Sequence, residues 1–409
     1  MDGMIAEGGL KQHLIDPEIC IRCNTCEATC PIEAITHDDN NYVVESSTCN
    51  GCMACVPPCP TGAIDNWFRV NAPFTLDDQY SWQELPPKPE VAESAVAVAD
   101  AEDDEAAALI ASAHSGAGGK ARAPATAATP RVNLFNRAGP ALARVTGNIR
   151  VTKSGTSSDV HHVILDFGAL NFPVLEGQSI GITPPGTDAN GRPHTMRLYS
   201  VSSPREGEKT GANNLALTVK RVAEPREDGT TFMGVASNYV CDLGVGDTVN
   251  VVGPFGATFL MPDDPDADIV MICTGTGSAP FRGFTERRRR AAARGTGRLH
   301  LFFGARTPEE LPYFGPLKKV AAELMEQHLC YSRVPGVAKE YVQDRMRARA
   351  DALAAILGKP ATHIYVCGLK GLEDGVEAAL TEVASSAGLD WPTLRGEMRE
   401  AGRWHVETY

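Results

Sequence analysis

Eight of the twelve cysteines in this 409-residue chain fall in two copies of one pattern, C-x2-C-x2-C-x3-C-P. The first copy holds Cys20, Cys23, Cys26 and Cys30, and the second holds Cys49, Cys52, Cys55 and Cys59. A short, turning segment with this spacing presents soft thiolates as ligands for an iron-sulfur cluster. Paired zinc sites and a disulfide framework are the alternatives, but zinc sites usually use C-x2-C pairs. The duplicated pattern predicts two 4Fe-4S clusters.

The flanks of the two copies are also near repeats, "CPIEAI" and "CPTGAI". The whole segment resembles the two-cluster bacterial ferredoxins, in which the fourth cysteine of each run binds the other cluster. This resemblance implies one cluster on Cys20, Cys23, Cys26 and Cys59, and a second on Cys49, Cys52, Cys55 and Cys30. We assign residues 1–70 to this domain.

Composition limits the class of protein. Hydrophobic residues make up 43% of the chain, as in ordinary globular proteins. No apolar run is long enough to span a membrane, and the start "MDGMIAEGGLKQ" lacks signal-peptide features. We therefore expect a cytoplasmic protein with free thiols at the other four cysteines, and the net charge of -13 argues against nucleic-acid binding. Monomer and homodimer both remain open.

A change of composition predicts a linker over residues 71–130. Sixteen of the forty residues from 91 to 130 are alanine, and the acidic stretch "DAEDDE" is followed by Gly, Ala and Pro. Such a segment buries too little apolar surface to fold by itself, although its centre, "DDEAAALIAS", has the composition of a transient helix. We expect an acidic Ala/Pro-rich tether.

Two further domains follow the linker. Runs such as "ARVTGNIRVT", "HHVILDFG" and "LALTVKRV" alternate with turn residues and predict an antiparallel β-barrel over residues 131–264. From residue 265 to 409, buried strands such as "DIVMICT" and "HIYVCG" alternate with helical stretches, which predicts a parallel α/β domain. The expected fold is therefore multidomain, α+β and α/β.

The segments "RLYS" and "GVAS" carry a more specific signal, because six other segments occur with them in the order that one known family shows. These are "EGQSIGI", "LTVKRV", "GPFG", "TGTGSAP", "CGLKG" and "WHVETY". Over residues 140–409 the chain resembles plant-type ferredoxin-NADP reductases. The resemblance implies FAD, with Arg197 on the pyrophosphate, Tyr199 on the isoalloxazine ring and Ser200 near its reactive region. The remaining implied FAD residues are Leu198, Thr218, Val219, Lys220, Val235, Ala236 and Ser237.

The same resemblance implies NADPH rather than NADH. Its glycine-rich turn is Thr274, Gly275, Thr276 and Gly277, where the absence of side chains lets a dinucleotide approach. The implied residues for the adenosine 2'-phosphate and the adenine are Ser332, Arg333, Lys339, Tyr341 and Gln343, with Arg306 a further candidate. Gly368, Leu369 and Tyr409 complete the expected nicotinamide site.

Ser200, Cys367, Glu407 and Tyr409 are the implied catalytic residues, with Tyr409 over the flavin face. A buried core thiol is the alternative for Cys367. Relatives often carry an aromatic residue where this chain has Ala223 and Glu224. The four arginines from 287 to 290 are expected to form a polar helix face, with partner docking as the alternative. His161 and His162 are expected to be structural.

Together these features predict an NADPH-dependent flavin and iron-sulfur oxidoreductase. Its module order resembles the reductase components of two-component oxygenases that convert benzoyl-CoA to its 2,3-epoxide in aerobic benzoate breakdown. That resemblance implies a separate di-iron oxygenase as the electron acceptor. Two alternatives stay open: electrons that flow in the NADPH-forming direction from another low-potential partner, and an iron-sulfur unit that serves only for docking.

Overall fold

The computed structural model describes residues 10–49, 54–56, 58–64, 66–70, 72–86, 101–113, 121–188, 190–226, 229–291 and 295–409. It divides into two compact units, Met1–Ala101 and Glu102–Tyr409. Among the described residues, no helix is both long and apolar enough to cross a membrane.

The first unit is built from short elements around its cysteines. In chain order these are β1 (Leu10–Leu14), α1 (Thr25–Thr29), β2 (Ile35–His37), β3 (Tyr42–Val44), β4 (Asn66–Val70) and α2 (Leu76–Ser81). β1 pairs antiparallel with β4, and β2 with β3. A small apolar core contains the buried side chains of Ile35, Val44 and Ile64 and is packed against the cysteines.

The segment predicted as linker holds packed structure at both ends. On the first unit, the buried Gln79 side chain of α2 accepts a hydrogen bond from the Val44 N–H and donates one to the Val44 carbonyl. On the second unit, the Asp263 N–H donates to the Thr126 carbonyl over 3.3 Å. Between these ends lies α3 (Ala101–Ala113). Composition missed the packing because it depends on single buried amides rather than on a long apolar run.

The second unit begins with a six-stranded antiparallel sheet. Its strands are β5 (Ala141–Arg150), β6 (Val160–Asp166), β7 (Ser179–Ile182), β8 (Arg197–Ser200), β9 (Asn214–Lys220) and β12 (Thr248–Phe255). Between β9 and β12 the chain forms the hairpin of β10 (Ala223–Pro225) and β11 (Thr231–Met233), followed by the helix α4 (Val235–Asp242). The order is β8-β7-β12-β5-β6-β9, and a bridge between Val201 and Leu217 joins the two ends. Buried and exposed residues alternate along the first half of β5, as in a barrel wall.

A five-stranded parallel sheet completes the second unit. Its strands are β13 (Ile269–Thr274), β14 (Leu299–Ala305), β15 (Met325–Tyr331), β16 (His363–Gly368) and β17 (Trp404–Thr408), in the order β15-β14-β13-β16-β17. Apolar clusters cover both faces, so β16 is buried throughout. The helices are α5 (Ser278–Arg290), α6 (Phe314–Leu317), α7 (Val342–Ala348), α8 (Ala350–Leu357), α9 (Leu372–Ser386) and α10 (Trp391–Glu400). The expected fold class is confirmed.

Candidate functional site

Four of the predicted cluster ligands line one small cavity in the first unit. Cys20, Cys23 and Cys26 lie on or beside α1, and Cys59 joins them from the second cysteine run. Within the described part of the chain, no three His, Cys, Asp or Glu side chains converge on a site for a single metal ion. Thiols placed around a cavity suit a cube of iron and sulfur, which takes one thiolate at each iron. This donor set fits a 4Fe-4S cluster.

The other cysteine set is described in part. Cys30, Cys49 and Cys55 lie in the same apolar cluster, whereas Cys52 lies outside the described residues. Polar groups meet the sulfurs: the Ala34 N–H donates to Cys30 Sγ over 3.3 Å, and the Thr25 hydroxyl donates to Cys23 Sγ over 3.2 Å. Such bonds stabilise negative charge on sulfur and so tune a cluster's potential.

Sequence reasoning missed His13, whose Nδ1 lies 3.9 Å from Cys49 Sγ. The ring is buried and stacks on Trp67, its partner across β1 and β4, with centroids 4.0 Å apart. Nε2 hydrogen-bonds the Ile64 carbonyl. Only strand pairing brings this histidine to the cysteines, so spacing in the sequence gave no signal.

A cavity of about 700 Å³ opens beside β8 in the second unit. Its volume lies within the range of roughly 300–1,000 Å³ that ligand sites occupy. All ten residues that the resemblance assigns to FAD line it: Arg197, Leu198, Tyr199, Ser200, Thr218, Val219, Lys220, Val235, Ala236 and Ser237. Burial raises the pKa of the Tyr199 phenol, which keeps this side chain neutral.

The beginning of α4 lies in the wall of this cavity. Among the described residues no side chain caps α4 at Gly234, and the N–H groups of its first turn lie at the cavity wall. A Cβ on Gly234 would lie 2.9 Å from both the Ser237 hydroxyl and Val222 Cβ, so the close turn requires glycine. The Ser237 hydroxyl accepts from the Val222 N–H and donates to the Gly234 carbonyl. With the exposed Arg197 guanidinium, these groups fit the diphosphate of FAD.

An aromatic residue does lie in this cavity, although not where sequence reasoning looked for one. Phe232 of β11 lines the wall together with Glu224 of β10, which pairs with it directly. Arg226 lies over the Phe232 ring, 5.3 Å from its centroid. Phe232 lies eight positions after Glu224 in the sequence, and the hairpin pairs the two residues so that both lie at the cavity. The short run "TTFM" was its only signal.

A second cavity, of about 380 Å³, lies at the carboxyl ends of the parallel strands. It collects nine of the expected nucleotide residues: Thr274, Gly275, Thr276, Arg306, Ser332, Tyr341, Gln343, Leu369 and Tyr409. Gly277, Arg333, Lys339 and Gly368 do not line it. Arg333 and Lys339 are exposed, whereas a Cβ on Gly277 would lie 2.1 Å from the Cys367 carbonyl. Gly277 therefore permits close packing of the turn on β16.

The two cavities meet at Tyr409. Its side chain lines both of them, as do Lys220, Thr276 and Leu369. Ser200 and Glu407 also line the first cavity. Burial raises the pKa of Glu407 to about 7, so this carboxyl can gain or lose a proton near neutral pH.

Cys367 is not brought to either cavity. It is fully buried in an apolar cluster that also contains Cys273, and burial raises the pKa of its thiol. It is the register partner of Glu407 across β16 and β17, so it lies beside a residue that lines the first cavity without lining that cavity itself. Cys241 and Cys330 are likewise free and buried.

The arginine run and the histidine pair have internal partners. Arg287 pairs with Glu206, and Arg289 with Glu286. Arg288 and Arg290 donate to backbone carbonyls. His161 contacts Asn148 and Asp159, and His162 Nδ1 lies 2.9 Å from the Tyr313 hydroxyl, inside the second unit.

Two family models match parts of the chain. Residues 12–60 match the 4Fe-4S dicluster domain, and residues 271–378 match the oxidoreductase NAD-binding domain. The solved structures provide a likeness in fold alone: ferredoxin-NADP+ reductase from Plasmodium falciparum has a TM-score of 0.55 at 22% identity, and the match covers 68% of this chain and 100% of that one. A structure of the same protein with 2'P-AMP gives a TM-score of 0.53 at 22% identity, covering 68% and 99%.

Curated relatives show the family. The ferredoxin-NADP reductase of Thermosynechococcus vestitus is 39% identical over 289 residues, which are 68% of this chain and 75% of the relative. That of Spirulina sp. is 38% identical over 288 residues, covering 68% of this chain and 98% of the relative. The expected enzyme class, an NADP-dependent flavin oxidoreductase, is confirmed. This chain belongs to the ferredoxin-NADP reductase family and carries a 4Fe-4S domain in the same polypeptide.

Proposed function

We propose that this chain is a cytoplasmic reductase that takes hydride from NADPH and passes single electrons, through two 4Fe-4S clusters, to a separate protein. The meeting of the flavin-type and nucleotide-type cavities at Tyr409 carries the proposal. Hydride transfer needs its donor and acceptor in contact, and adjoining cavities separated by one aromatic ring meet that need when the ring moves. A reducing compartment preserves the cluster thiolates.

FAD, when bound, supplies the conversion between the two-electron chemistry of NADPH and the one-electron chemistry of a cluster. The chain's own residues would hold and position it. Arg197 and the α4 N–H groups would bind the diphosphate, and Tyr199 would provide a flat wall for the ring system. Burial raises the pKa of Glu407 to about 7, so this carboxyl in the wall of the first cavity can take up or release a proton near neutral pH.

The second cavity favours NADPH over NADH. Arg306 lies in its wall. Two exposed, positively charged residues are close in sequence to other wall residues: Arg333 follows Ser332, and Lys339 lies two residues before Tyr341. Tyr341 is 48% exposed, so its ring is open to stack on adenine. The 2'P-AMP bound to the Plasmodium falciparum protein supports the same choice of nucleotide.

For the acceptor we propose a di-iron oxygenase that epoxidises benzoyl-CoA. Support comes from the order of modules, with a dicluster domain joined to a reductase, which resembles reductases of such systems. The purified chain should oxidise NADPH with artificial acceptors and should consume benzoyl-CoA only when the oxygenase is added. Benzoyl-CoA oxygenation by the single chain would disprove this assignment.

An anaerobic NADPH titration, followed by visible and electron paramagnetic resonance spectra, tests the electron path. We expect about four electrons per chain, two on FAD and one on each cluster. Clusters that stay oxidised while the flavin is reduced would instead support a docking role for the first unit.

The NADPH-forming direction is the second candidate, and the family name of the curated relatives favours it. The measured potentials separate the two. Cluster reduction potentials well below that of the NADP+/NADPH couple would favour NADPH formation. Cluster potentials above it would favour electron delivery from NADPH to the partner protein.

A further inference from the structure

The helix α3 has one apolar stripe, although it lies in the segment whose composition predicted a tether. The buried Ala106 and the partly buried Leu109, Ile110 and Ala113 follow one another at spacings of three, one and three residues, which places them on one face. Ala108 and Ala111 are exposed. The helix thus presents its larger side chains in a single direction.

This stripe packs on the barrel beside the flavin cavity. Ala106 forms an apolar cluster with the buried Met196, Val252 and Phe255, and Ile110 packs against it. Met196 directly precedes β8, which carries the residues of "RLYS". The barrel surface next to the cavity is therefore covered by α3.

The end of α3 reaches the other side of the same cavity. The Lys370 ammonium lies 3.4 Å from the Ser112 hydroxyl, and the Lys370 N–H donates to the Tyr409 carbonyl. Leu109, Ile110 and Ala113 line the 700 Å³ cavity together with Leu369, Glu407 and Tyr409. α3 thus contacts both the barrel and the parallel-sheet domain and forms part of the cavity wall between them.

We propose that α3 is an apolar wall of the flavin site, which holds FAD and shields it from water and dissolved solutes. The inference rests on FAD occupying this cavity, as in the proposed function. The isoalloxazine of a flavin has a broad planar aromatic face and an apolar dimethylbenzene edge, and apolar side chains that exclude water from them strengthen binding. The tether therefore contributes to the cofactor site as well as joining the two units in sequence.

The test uses the full-length chain with Leu109→Asp and Ile110→Asp combined. We expect the Kd of FAD to rise about tenfold, because two partly buried aliphatic side chains are lost from the wall. Iodide should quench the flavin fluorescence several-fold more strongly. The matched control, Ala108→Asp with Ala111→Asp, adds the same charge to the exposed face and should stay within about twofold of the unchanged chain on both measurements.

A second variant, Leu109→Ala with Ile110→Ala, removes apolar volume without adding charge and keeps helix propensity. It should shift the Kd and the quenching in the same direction by a smaller factor, with unchanged circular dichroism. Values equal to those of the control for both variants would overturn the proposal. Both measurements are independent of turnover, so a chain that binds FAD but is not reduced by NADPH would refute the proposed function and leave this inference standing.

Discussion

The Tyr409 hydroxyl lies 2.9 Å from Oγ1 of Thr276, and this hydrogen bond holds the aromatic ring at the boundary of the two cavities. Thr276 belongs to the turn after β13, and Tyr409 follows β17, which β16 separates from β13 in the sheet. The contact therefore closes across the carboxyl edge of the sheet, where ligands bind in folds of this type.

Replacing Tyr409 with alanine removes the ring between the cavities. We expect NADP+ to bind about tenfold more tightly, because the nucleotide no longer has to displace an ordered side chain. Tyr409→Phe keeps the ring and loses only the hydroxyl bond, so its Kd should stay within about threefold of wild type. Difference-spectral titration measures both, and an unchanged Kd in the alanine variant would show that the ring is no barrier.

Arg306→Ala should reduce kcat/KM for NADPH by about tenfold to a hundredfold, since a charge-assisted bond to phosphate contributes roughly 1.5–3 kcal/mol. The value for NADH, which lacks the 2'-phosphate, should hardly change. Ser157 accepts a hydrogen bond from Arg306 over 2.7 Å, so Ser157→Ala should give a smaller loss of the same kind. Equal losses with both nucleotides would contradict a role at the 2'-phosphate.

Glu407 should make the stability of the cofactor-free chain fall as pH rises. Burial raises its pKa to about 7 in the fold, whereas an unfolded glutamate has a pKa of about 4.3. Between pH 4.3 and pH 7 the folded chain keeps the Glu407 proton, whereas the unfolded chain has released it. The contribution of Glu407 to the free energy of unfolding is therefore fully present below about pH 4.3 and is lost as pH rises through 7. Melting temperatures of wild type and Glu407→Gln should converge at low pH and diverge above pH 7, whereas the exposed Glu323→Gln control should follow wild type.

His363 should have the opposite effect and make the stability of the chain fall as pH decreases. The residue is 7% exposed, and burial lowers the pKa of its imidazole to about 4, against about 6.5 in an unfolded chain. Its contribution is present above pH 6.5 and lost as pH falls through 4, up to about 3 kcal/mol. Unfolding of wild type and His363→Gln at pH 4 to 7 measures the difference, and parallel profiles would contradict the prediction.

His13→Phe should raise the potential of one cluster by tens of millivolts. The substitution keeps an aromatic ring against Trp67 but removes the nitrogen 3.9 Å from Cys49 Sγ. Nε2–H donates to the Ile64 carbonyl, so the neutral ring presents the Nδ1 lone pair to the sulfur. Removing this lone pair relieves a repulsion that opposes the added negative charge of a reduced cluster. Thr25→Val removes the hydroxyl bond to Cys23 and serves as a comparison for the other cysteine set. Redox titrations followed by paramagnetic resonance measure both, and identical potentials in His13→Phe and wild type would exclude a tuning role.

Local patterns predicted the three fold types because each depends on neighbouring residues. Cysteine spacing, alternation along β5 and the turn after β13 are set within a few residues of backbone. For the same reason all ten residues predicted for FAD line one cavity: they lie in short contiguous runs on β8, β9 and α4.

The sequence by itself determined the chemistry that the chain carries: soft thiolates in duplicate, a flavin motif and a nucleotide turn. Tertiary structure decided which distant residues take part. It brought His13 to Cys49, placed Phe232 and α3 in the wall of the cavity beside β8, and buried Cys367 in an apolar cluster away from both cavities. These outcomes depend on strand order, hairpin register and the packing of one apolar helix face, which join residues far apart in sequence.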